Sequence, residues 1–131
     1  MLYKVQRRKR GDILMPVKIE IYGIPELQAK LKEIGKEATK RVSDAIHKSG
    51  FMVEAEAKKR ASGRPGPNVI TGFLRAHIQT DTSQPMTAVV FDDMEYAGRV
   101  EFLYPYMRPA LNAKKEDINR MVNQAVQEAV K

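Results

Sequence analysis

The sequence predicts an α+β domain: a small antiparallel or mixed sheet of three to four strands, packed against one long helix and a C-terminal helix. Three observations predict it. Apolar and polar residues alternate over positions 17–22, and residues 78–82 and 86–91 have the composition of two further strands. Apolar and small residues recur at three- and four-residue steps over 38–57 and over 110–129. The elements run strand, helix, helix, three strands, helix, an order that segregates strands from helices.

Each element has a local reason. Val17, Ile19 and Ile21 alternate with Lys18, Glu20 and Tyr22, the pattern of a half-buried strand, and Gly23 ends it. Pro25 suits the first turn of a helix, and Glu26 sits at its positive end. Leu27, Leu31 and Ile34 follow at helical spacing, and Gly35 kinks or ends this helix. A longer helix is predicted over 36–61, with Ala38, Val42, Ala45, Ile46, Ser49, Val53 and Ala57 on one face. At 1.5 Å per residue it spans about 39 Å, long for a chain of this size, so its small-residue stripe is a candidate for packing on neighbouring subunits as well as on its own sheet.

Ser62-Gly63 stops that helix. A turn-rich seam follows over 64–75: Arg64, then Pro65, Gly66 and Pro67, which hold the chain extended, then Thr71-Gly72, where Thr71 caps a short helical turn reaching Arg75. Residues 78–82 and 86–91 read as two strands joined by a hairpin connection, closed by the polar turn Asp92-Asp93. Val100, Phe102, Tyr104 and Tyr106 alternate with other residues and suggest a short fourth strand, placed at a sheet edge by Pro105. Pro109 starts the last helix, on which Ala110, Leu111, Ile118, Met121, Val122, Ala125 and Ala129 share a face.

The 131 residues suffice for one domain with its own core, over 15–131, preceded by a basic and flexible arm over 1–14. Met15-Pro16 stands directly before the first strand, so an upstream start codon is an alternative origin for that arm. Cysteine is absent, which removes disulfides, zinc–thiolate sites and a thiol nucleophile from consideration. No apolar run approaches the ~18 residues that span a bilayer, and the N-terminus lacks the apolar core of a secretory signal. The net charge of +7 is concentrated in the arm, where Lys4, Arg7, Arg8, Lys9 and Arg10 face Asp12 alone. Such an arm favours DNA or an acidic partner; a solvated extension reads the same residues equally well.

Catalytic readings fare poorly. Ser43, Asp44 and His47 supply the residue types of a hydrolytic triad, but helical neighbours lack the geometry of one, and no oxyanion loop accompanies them. Asp92, Asp93 and Glu95 form an acidic turn more consistent with solvation than with a cation or acid–base site. No phosphate loop is present, because the prolines of the seam remove the amide donors that a phosphate cradle needs. No metal site, cofactor or small-molecule substrate is expected. Lys58, Lys59, Arg60, Arg64 and Arg75 form a second basic group, which equally suits the negative end of a helix dipole. Among the aromatics, Phe102 is assigned to the core and at least one of Tyr104 and Tyr106 to an interface.

The ordered set of these pieces resembles a known family: the neck and tail-completion proteins of long-tailed double-stranded DNA phages and prophages, the "gene product ten" tail-component type of lambdoid phages. The pieces that carry it are Gly23-Ile24-Pro25-Glu26-Leu27 with Leu31 and Ile34, the long helix with Ala57 and Ala61 near its end, the Arg-Pro-Gly-Pro seam with Thr71-Gly72-x-Leu74-Arg75, then Tyr96-Ala97, Val100-Glu101 and Arg108-Pro109-Ala110-Leu111. The chain departs from the family at two places. Phe102-Leu103 leads straight into Tyr104-Pro105 where the family often has Gly-Thr and a longer loop, and Ala76-His77-Ile78 stands where Ser-Ile is common.

The resemblance implies a non-enzymatic structural virion protein at the neck or the head-proximal tail end, assembled in the host bacterial cytoplasm. It implies a homo-oligomeric ring, sixfold or twelvefold, that contacts connector or head-closure proteins and tail-tube or tail-terminator proteins, with DNA in the lumen and no membrane. On this reading Arg64, Arg75, Arg99 and Arg108 pair with acids such as Asp92, Asp93 and Glu101 across subunits, Tyr96, Tyr104 and Tyr106 serve the interface, and Lys4, Arg7, Arg8, Lys9 and Arg10 face DNA or an acidic partner. The alternative is a basic nucleic-acid-binding module that uses the arm.

Overall fold

A computed structural model of the chain describes residues 2–5, 17–63 and 72–130. Among them, four strands form one antiparallel sheet: β1 (Leu2–Val5), β2 (Val17–Tyr22), β3 (Ile78–Asp81) and β4 (Thr87–Asp92), in the spatial order β1-β2-β4-β3. The helices are α1 (Pro25–Ile34), α2 (Lys36–Arg60), the single turn α3 (Phe73–Ala76), α4 (Ala97–Leu103) and α5 (Met107–Ala129). The fold is α+β with two layers, the sheet on one side and the long helices α2 and α5 on the other.

The inner sheet face follows from the period of two. Val17, Ile19 and Ile21 of β2, Ala88 and Val90 of β4 and Ile78 of β3 are buried together. Ile19 lies opposite Val90, and Ile21 opposite Ala88, so the register stacks apolar on apolar. Helix α2 lies close over β4 and β3. A Cβ added at Gly50 would come within 2.7 Å of the Ala88 Cβ and 2.8 Å of the Thr80 methyl. The apolar and small stripe predicted on this helix is therefore consumed within the chain: Ala38, Val42, Ala45, Ile46, Ser49, Val53 and Ala57 are all buried there.

Gly35 separates α1 from α2. Its φ of 138° with ψ of 173° is backbone open only to glycine at low cost, and its amide still closes α1 by bonding to Leu31. Two of the three residues weighed as a hydrolytic trio, Ser43 and His47, anchor the β3–β4 connection instead. Ser43 Oγ accepts the Met86 amide at 3.0 Å, and His47 Nε2 donates to the Gln84 carbonyl at 2.9 Å. This hold supports Met86 at φ 59°, an uncommon backbone for a non-glycine residue.

Three sequence expectations change. Leu2–Val5, counted as part of a flexible arm, pair with β2 as an edge strand. Tyr3 shows why: it lies beside Ile21 on the inner face, donates to Asn119 Oδ1 of α5 at 2.9 Å, and receives the Lys115 ammonium over its ring. The edge strand expected around 100–106 is the helix α4, whose Ala97 and Gly98 are buried and whose Val100 packs on the core. Alternation over so short a run fits either structure, and contact with the core decides it. Helix α5 begins at Met107, two residues before Pro109, for a reason that lies in α4.

Candidate interaction surface

The end of β4, α4 and the start of α5 form one clamped unit. Asp92 closes β4 between Val17 and Ile78, its register partners on the two flanking strands. It points to the inner face and is fully buried. Tyr106, also fully buried, donates its hydroxyl to Asp92 Oδ2 at 2.8 Å, and the Met94 amide donates to Oδ1 at 3.2 Å. Burial pushes the Asp92 carboxyl up to about 6, against the opposing pull of the Tyr106 hydroxyl and the Met94 amide.

Glu101 of α4 makes the second clamp. Its Oε1 accepts the amides of Tyr106 at 2.9 Å and Met107 at 2.8 Å, and its Oε2 accepts that of Arg108 at 3.2 Å. Tyr106 is the N-cap of α5, so these are its first three unpaired donors, and the fourth position, Pro109, has none. A carboxylate there also meets the positive end of the helix dipole. This is the reason that α5 starts early.

Fastened at both points, α4 turns Phe102, Leu103 and Tyr104 outward, 69, 55 and 41% exposed. Of the aromatic assignments from the sequence, Phe102 is on the surface rather than in the core and Tyr106 is in the core rather than at an interface, while Tyr104 is exposed. Tyr96, the N-cap of α4, is partly exposed nearby. Arg99 and Arg108 are exposed beside this tip and make no ion pair among the described residues.

The other predicted site residues are dispersed. Asp93 pairs with His77 Nδ1 at 2.7 Å. Arg75 donates to Ser62 Oγ at 3.0 Å, tying α3 to the end of α2. Lys58 and Arg60 bond to Glu54 and Glu56 one turn back on α2, both at 3.2 Å. Gly72 is the left-handed N-cap of α3, with φ of 80°. Arg64, Pro65, Gly66, Pro67 and Thr71 of the seam, and Arg7, Arg8, Lys9 and Arg10 of the arm, lie outside the described residues; Lys4 is in β1. The acids assigned to cross-subunit pairs are satisfied within the chain: Asp92 by Tyr106, Asp93 by His77, and Glu101 by the start of α5. The Glu101 cap went unnoticed in the sequence, although a glutamate ahead of a proline-containing helix start was a usable signal.

Among the described residues no group of three or more His, Asp or Glu side chains is placed to hold a metal, and no helix is long and apolar enough to cross a membrane. A family model described as "Bacteriophage HK97-gp10, putative tail-component" matches residues 25–102, more than half of the chain. No curated protein and no solved structure matches it.

Proposed function

The chain belongs to the HK97-gp10-like family of bacteriophage tail components, and on that premise we propose that it joins head to tail, or completes the head-proximal tail end, as one subunit of a sixfold or twelvefold ring. Its work is assembly rather than catalysis. Its neighbours are connector or head-closure proteins on one side and tail-tube or tail-terminator proteins on the other, and its place is the neck of the virion. The observation that carries the reading beyond family membership is the tip at Phe102, Leu103 and Tyr104. Large apolar side chains held outward on a doubly clamped helix are suited to a partner rather than to water. Arg99 and Arg108 supply polar specificity at its margin.

Disrupting the gene in the phage or prophage that encodes the chain tests this. Electron microscopy is expected to find filled heads and separate tails, with infectivity restored by the wild-type chain in trans. Normal joined particles would refute the reading.

The concentration of positive charge over residues 4–10 favours a second reading, a DNA contact made by the arm, within the ring lumen or alone. Deleting residues 1–14 would remove β1 as well, so the cleaner variant replaces Arg7, Arg8, Lys9 and Arg10 with serine. Salt-dependent DNA affinity lost in that variant supports the contact; affinity unchanged by it does not.

A further inference from the structure

Among the described residues, the buried polar side chains are those of Ser43, Ser49 and Asp92, and Asp92 is the ionisable one. It lies where β4 passes into the turn before α4. Its carboxyl receives two donors, the Tyr106 hydroxyl at 2.8 Å and the Met94 amide at 3.2 Å, and no cation pairs with it among the described residues. An ionised carboxylate has about four acceptor positions, so this one is short of partners in a place closed to solvent.

The surrounding groups do not relieve it. Strands β2 and β3 flank it with Val17 and Ile78, and α5 with the Tyr106 phenol. Lys18 of β2 is exposed and pairs with Glu20. Asp93 adds a like charge, and His77, at the start of β3, is bonded to Asp93 rather than to Asp92. Helix α2, packed on β4, buries Val53 and Ala57 and pairs Glu54 with Lys58 and Glu56 with Arg60. Of the charged residues after β4, Glu95, Arg99 and Arg108 are exposed, and Glu101 caps α5.

The walls of this site differ in strength. Most belong to the sheet and the long helices. The remaining one is the turn 93–96, in which Asp93, Glu95 and Tyr96 are exposed and Met94 is half-buried, followed by the seven residues of α4. Segments with so little buried surface are the first to open.

We propose that Asp92 is a pH-sensitive latch on the tip: protonated, it holds the 93–96 turn and the start of α4 against the sheet, and on losing its proton it lets them swing out on the Glu101 clamp, which keeps the far end of α4 joined to α5. In the opened form Asp92 is solvated and titrates near 3.8, whereas burial lifts it to about 6 in the closed form. The closed form is therefore fully favoured below 3.8 and is progressively disfavoured as pH rises to 6, so the ratio of open to closed increases about tenfold from pH 5 to 8. Phe102, Leu103 and Tyr104 are held in one direction in acid and less strictly at neutral pH. A partner that seats on the closed tip takes up a proton at Asp92. The latch does not depend on the tail-component reading, which supplies only the partner that would feel it.

Hydrogen exchange followed by mass spectrometry tests it on the full chain, wild type against Asp92→Asn, at pH 5 and pH 8 with labelling times corrected for intrinsic exchange. The amides of Met94, Ala97 and Val100, each bonded within the segment, report its opening, and the interior of α2 around Val53 reports global unfolding. In the wild type, protection over 93–103 is expected to lie below that of α2, to be insensitive to low urea, and to fall about tenfold from pH 5 to 8. Asp92→Asn is expected to abolish that fall. Where a melting curve shows a folding defect in that variant, Tyr106→Phe serves instead: it removes a donor to the carboxylate, so the fall is expected to extend to higher pH. Protection over 93–103 that matches α2, that stays level with pH in the wild type, or that falls equally in Asp92→Asn overturns the latch, as does a pH range unmoved in Tyr106→Phe.

Discussion

Replacing Asp92 with asparagine should flatten the pH dependence of stability between acid and neutral pH. The carboxyl is enclosed by Val17 and Ile78 in the sheet and by Tyr106 above it, and it titrates at about 6 in the folded chain against 3.8 for a solvated aspartate. Its folded value is raised, so the stability it contributes is fully present below 3.8 and is lost as pH rises through 6. At about 1.36 kcal/mol for each pH unit between those two values, the loss is about 3 kcal/mol over the whole window. Asparagine keeps the shape and an acceptor for the Met94 amide, but it has no proton to lose. Urea unfolding followed by circular dichroism, on both proteins at intervals from pH 4 to 8, measures the difference. The Asp92→Asn protein should gain on the wild type by roughly 2–3 kcal/mol across that range, with the gain rising up to about pH 6 and level above it. Tyr106→Phe, which removes the hydroxyl donor, should move the start of that plateau to higher pH. A difference between wild type and Asp92→Asn that stays constant from pH 4 to 8 would refute the buried-carboxyl account.

Two further substitutions probe the frame around the tip. Glu101→Ala leaves three amides at the start of α5 without their acceptor and should lower unfolding free energy by roughly 2 kcal/mol in denaturant titration, with Glu101→Gln losing less; an unchanged midpoint would show that water replaces the cap without cost. Gly50→Ala places a methyl against Ala88 and Thr80 and should destabilise by about 1–3 kcal/mol despite alanine's better helix propensity; a more stable Gly50→Ala protein, by thermal melting, would mean that α2 shifts freely on the sheet.

Glu101 also bears on how assembly tests are read. Its charge reversal disrupts α5 before it reaches any partner, so impaired assembly in such a variant reports a folding defect. Phe102 and Leu103 are better probes, because their side chains are largely in solvent.

Periodicity was legible wherever an element is long enough to be amphipathic on its own. The stripe on α2, the face of α5, the alternation in β2, and the breaks at Pro25 and Gly35 all lie where local chemistry puts them. It failed at α4, where Val100, Phe102 and Tyr104 alternate like a strand over a short run. Nothing local separates a helix from a strand at that length; burial of Ala97 and Gly98 and the bonds of Glu101 do. It also failed at Leu2–Val5, where basic neighbours suggested an arm, and the free edge of β2 together with the α5 surface under Tyr3 made a strand.

The sequence by itself determined the α+β class, the order of the long elements, the concentration of charge near the N-terminus and the family. Those are properties of composition and spacing, which a chain carries before it folds. Only the tertiary structure decided which aromatic is buried and which is offered, that Asp92 is a core residue with a displaced titration, and that Leu2–Val5 form an edge strand. These depend on residues far apart in the chain meeting at one point: Asp92 with Tyr106, and Tyr3 with Asn119. Burial and desolvation are produced by that meeting, and no single segment contains them.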